Sequence, residues 1–73
     1  MGRTMIEEEA RQIVGKHATD DELRFIAAAL AIRPADNTDE DWERLEAACR
    51  LLGHLAPVDA VAVLKTHKRF QGE

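Results

Sequence analysis

The apolar positions of this chain fall into four stretches of helical period, and the second is unlike the others. From Leu23 to Ile32 it reads Leu-Arg-Phe-Ile-Ala-Ala-Ala-Leu-Ala-Ile, with no polar side chain, glycine or proline after Arg24. On a helical wheel Leu23, Ile26, Ala27 and Leu30 share one face, while Phe25, Ala28, Ala29 and Ile32 lie largely on the other. A helix that is apolar nearly all round belongs in the middle of a structure. The expectation is therefore a central helix covered by its neighbours, or by a second copy of the chain lying against Phe25, Ala29 and Ile32.

Helix signals flank it on both sides. Thr4 and Glu7 have capping-box spacing, and Ile6, Ala10, Ile13 and Val14 then repeat on one face as far as Gly15. Glu7 and Arg11 stand four apart, in the order that favours a pair. Thr19 and Glu22 form a second box that launches the apolar helix, and Pro34 stops it. Thr38 caps a third helix, whose residues Trp42, Leu45, Cys49 and Leu52 make an inward seam closed by Gly53. Glu40 and Arg44 are spaced as an outward-facing pair.

Pro57 opens a last helix through Val61 and Leu64. The run Val58 to Leu64 is β-branched and partly alternating, so a strand is the competing reading. Helix is favoured because no other segment could pair with it. The pattern thus predicts an all-α fold: one domain over residues 1–73 with frayed ends. Within it, four short helices at about 5–14, 20–33, 39–52 and 57–69 form a compact bundle around the central apolar one.

Size and charge refine this. A chain of 73 residues buries a small core, so its stability should be modest or shared with a partner. The net charge is −4, but unevenly placed. Asp36, Asp39, Glu40, Asp41, Glu43 and Glu46 face only Arg44 in the middle, while Lys65, Lys68 and Arg69 outnumber Asp59 near the end. The single cysteine cannot form an internal disulfide, which suits a reducing compartment. No signal segment or membrane-length apolar run is present, and Ile6 occupies the position where a myristoylation motif needs Ser or Thr. Cytoplasmic is the expected location. The alanine and arginine usage suggests a bacterial or phage chain.

Candidate chemistry is sparse. His17, His54 and His67 each fall at or past a helix end, and none has a partner at zinc-ligand spacing, nor has Cys49. Asn37, Asp39 and Asp41 match the first three ligands of a calcium loop. However, Trp42 stands where that loop needs glycine, and Ala48 where it needs a bidentate glutamate. An acyl carrier needs a serine for its prosthetic arm, and the chain has none. Cys49 lies on the buried seam without a nearby histidine, and no glycine-rich phosphate loop appears. No enzyme activity, metal or cofactor is therefore expected.

The leading expectation is a small non-catalytic protein-binding regulator or inhibitor, of the kind that phage and plasmid accessory genes encode. Its working face would be the acidic group Asp36, Asp39, Glu40, Asp41 and Glu43, aimed at a partner with a basic surface. The first alternative is a small DNA-binding regulator using Lys65, His67, Lys68 and Arg69. Acids crowd the start of the third helix and would repel phosphates if that helix were the reader. The second alternative is an assembly subunit that self-associates as a homodimer through Phe25 and Ile32.

Overall fold

The structure is a computed structural model that describes residues 5–66. Within them lie four α-helices: α1 (Glu7–Val14), α2 (Asp20–Ala31), α3 (Asp39–Leu52) and α4 (Val58–Thr66). Short 3-10 turns at Pro34–Asp36 and Gly53–Leu55 join α2 to α3 and α3 to α4. The fold is all-α, as the periodicity predicts, and the described residues contain no strand.

Local chemistry explains each boundary. At the start of α2, Thr19 Oγ1 accepts the Glu22 N–H at 3.2 Å and the Glu22 carboxylate accepts the Thr19 N–H at 2.8 Å. Helix α1 begins later than expected. Glu9, rather than Glu7, turns back to the backbone N–H of Ile6, and Thr4 lies outside the described residues. Arg11 does not pair with Glu7. Its guanidinium donates to the Ala18 carbonyl at 2.9 Å, so it braces the turn into α2.

Gly15, with φ near 120°, ends α1 in a conformation closed to other residues. Helix α2 stops at Ala31, two residues short of the expected 33, because Pro34 disfavours helical geometry at Arg33, which sits at φ −139° and ψ 56°. The Asn37 side chain then donates back to the Leu30 carbonyl at 3.0 Å, supplying one of the partners that a helix end lacks. In α4 the β-branched run is helical, since no neighbouring strand exists among the described residues to pair with it.

The core places α3, not α2, at the centre. Every other helix packs on α3. Trp42, Leu45, Ala48, Cys49 and Leu52 of α3 meet Leu23, Ala27, Leu30 and Ala31 of α2, together with Ala60 and Leu64 of α4. On the α1 side Ala10 and Ala47 are both fully buried, and side chains this small let the two helices approach closely.

The far face of α2 is wet: Phe25 is 75% exposed and Ile32 83% exposed. The expectation that the neighbouring helices of the same chain hide the apolar helix all round is overturned by this. One stripe of α2, Leu23–Ala27–Leu30–Ala31, is enough to seat it on α3 and α4. Among the described residues no fifth element covers its other side.

Candidate interaction surface

The five acids expected to form one face are divided by the fold. Asp36, in the 3-10 turn, and Asp39 and Glu40, in the first turn of α3, are exposed. Asp41 is turned inward and its side chain is only 15% exposed. Its Oδ2 accepts the Thr38 N–H at 3.2 Å, and Thr38 Oγ1 accepts the Asp41 N–H in return. Arg44 donates to its other oxygen at 2.9 Å, and Arg33 stands 3.7 Å away.

The hydrogen bond from the Thr38 backbone is the main cause that holds the Asp41 carboxyl below its ordinary value. Partial burial opposes this, while Arg33, the Thr38 hydroxyl and Arg44 add to it. Glu43 is half-buried and already has a partner. The Arg44 side chain pairs with Asp41 instead of Glu40, which leaves Glu40 outward. The face therefore reduces to Asp36, Asp39 and Glu40.

A second surface lies beside it. On the outer side of α2, Asp21, Phe25, Ala28 and Ile32 fall on one stripe, four, three and four residues apart, and all four are exposed. Ala29, expected with Phe25 and Ile32, is half-buried. An open groove of about 440 Å³ runs between this helix and α4. Ala28, Ala31 and Ile32 line it from α2; Ala60, Val63 and the carboxylate-bearing Asp59 line it from α4.

The end of α2 that carries Ile32 is also the end that meets the start of α3, through the Asn37–Leu30 hydrogen bond and the approach of Arg33 to Asp41. Asp36, Asp39 and Glu40 thus rim the same end of the molecule as Ile32. The sequence pattern missed the part that α4 plays here. Pro57 and the seam through Val61 and Leu64 place the helix, but they do not say that Asp59 and Val63 turn toward α2.

The remaining candidates are dispersed. His17 and His54 sit exposed on separate turns, and among the described residues no three His, Cys, Asp or Glu side chains come together as metal ligands. Cys49 is buried with its thiol pushed up to about 11 by burial, so it stays protonated at neutral pH. Of the four basic residues near the end, Lys65 is exposed on the last turn of α4, whereas His67, Lys68 and Arg69 lie outside the described residues. No helix among the described residues is long and apolar enough to cross a membrane. Against this geometry, comparison of the chain with protein-family models, with curated proteins and with solved structures returned no match.

Proposed function

We propose that this chain is a non-catalytic protein-binding module that regulates or inhibits the protein it engages. Its working surface is the outer face of α2 together with the acids at its end. The observation that carries the reading is the exposure of Phe25 and Ile32 on a helix whose other side is core. Two large apolar side chains on one wet stripe lose water-exposed area as soon as a partner covers them, which favours association. Scattered apolar residues need no such explanation, but these share a stripe, and Ile32 lines a groove. Asp36, Asp39 and Glu40 supply long-range attraction for a partner of opposite charge, and this chiefly raises the rate of encounter.

The acidic group contributes less than its sequence suggests, since Asp41 and Glu43 are engaged within the fold. The apolar stripe is therefore the anchor and the acids are its rim, an arrangement common to protein interfaces. The test is capture from cells of the source organism by the immobilised chain, set beside a Phe25→Glu, Ile32→Glu variant of unchanged helicity. A protein retained by the parent and lost at least about ten-fold by the variant supports the reading. An unchanged set of captured proteins contradicts it.

A further inference from the structure

We infer that the groove between α2 and α4 takes an amphipathic helix from a partner protein, with Lys or Arg along the borders of its apolar stripe. The inference rests on the protein-binding reading above and names the chemistry of the occupant. The shape argument starts from the alanines. Ala28, Ala31 and Ala60 make a shallow floor, walled by Ile32 and Val63. The α2 side of the groove, Ala28 to Ile32, spans about 6 Å, and Phe25 carries the same exposed stripe further, to about 10 Å in all. A guest helix that presents apolar residues at i, i+3 or i+4, and i+7 matches that length.

Charge selects the guest. The charged side chain that lines the groove is a carboxylate, Asp59. Both ends of α2 are acidic as well: Asp20, Asp21 and Glu22 at its start, and Asp36, Asp39 and Glu40 beyond its end. Among the described residues, the cations that flank this stripe on α2 are already drawn to carboxylates, Arg24 to Asp21 at 2.6 Å and Arg33 toward Asp41 at 3.7 Å.

This pattern also argues against a second copy as the occupant. A two-fold pairing through α2 puts one acidic end against another, whether the two helices run parallel or antiparallel. A basic helix meets no such repulsion and complements Asp59 at the same time.

The full chain is titrated with three synthetic peptides: an amphipathic helix of leucine and lysine, its leucine and glutamate counterpart, and a scrambled leucine and lysine peptide without a stripe. Binding is read by amide chemical shifts at low and moderate salt. The expected result is binding of the first peptide alone, with shifts centred on Ala28, Ile32, Ala60 and Val63. Ala28→Arg, a substitution at an exposed helical position that keeps the fold, should weaken it by at least about ten-fold, and Asp59→Asn by roughly three-fold.

Equal binding of the scrambled peptide overturns the inference, because charge alone would then suffice. So does an unchanged affinity with Ala28→Arg. A concentration-dependent dimer that Ala28→Arg dissociates also overturns it and makes the second copy the occupant. If no peptide binds while the Phe25→Glu, Ile32→Glu variant still loses its captured protein, the helix-in-groove inference falls and the protein-binding reading stands.

Discussion

Arg33 and Asp41 approach to 3.7 Å, and this contact ties the end of α2 to the start of α3. The same carboxylate closes the Thr38 cap and receives Arg44. An acid that looks like one of a surface cluster in the sequence is thus a structural joint. Three groups share it, which fixes the corner where the acidic rim and the apolar stripe meet.

That joint gives the stability a defined pH dependence. The Asp41 carboxyl lies below its ordinary value of 3.8 in the fold. A depressed carboxyl contributes stability that is complete above its unfolded value and is lost as pH falls through the folded one. Urea unfolding of the parent and Asp41→Asn should therefore differ most well above 3.8, and the gap should shrink as pH falls below 3.8 and through the lowered folded value. A gap that is constant across this range would show that the pairing carries no charge-dependent stability. Thr38→Ala, which removes the hydroxyl side of the cap, should cost about 1 kcal/mol near neutral pH.

Asn37 ties the connecting turn at this corner back to α2. Its side-chain N–H group is the donor to the Leu30 carbonyl. Asn37→Ala should lower stability by about 1 kcal/mol and speed amide exchange around the 3-10 turn at Pro34–Asp36. Exchange rates that stay at the parent's values would mean that the turn holds itself.

Cys49 offers a probe of the core that needs no substitution. Burial pushes its thiol up to about 11, so at neutral pH it is both enclosed and protonated. Reaction with a thiol reagent should run on the order of a hundred-fold slower than in the urea-unfolded chain, because the thiolate is the nucleophile. A rate close to that of the unfolded chain would place the α3 seam in contact with solvent.

Much of this architecture is written in local sequence. The Thr19 and Thr38 caps, the stop before Pro34 and the Trp42–Leu45–Cys49–Leu52 seam are short-range signals, and each lies where the pattern puts it. The choice of central helix is not local. Alanine carries so little apolar area that its transfer free energy barely separates inside from outside. In a run such as Ala27–Ala28–Ala29–Leu30–Ala31, the buried side is therefore set by the neighbours that arrive. Ala27 is buried and Ala28 exposed for that reason alone.

The same limit hid the groove, which exists only because α4 lies beside α2. The acidic face was legible as composition but not as geometry. Three acids follow Thr38, and the third, Asp41, stands at the same spacing as Glu22 from Thr19, a capping signal that the acidic composition masked.

The central claim is that the outer face of α2 is open to a partner and is not part of the core. The most direct measurement is urea unfolding of a Phe25→Ser, Ile32→Ser variant at several protein concentrations. The account predicts a stability within about 0.5–1 kcal/mol of the parent's, and no dependence on concentration for either protein. A loss of roughly 3–5 kcal/mol, or a stability that rises with protein concentration, would mean that Phe25 and Ile32 are buried in solution and would contradict it.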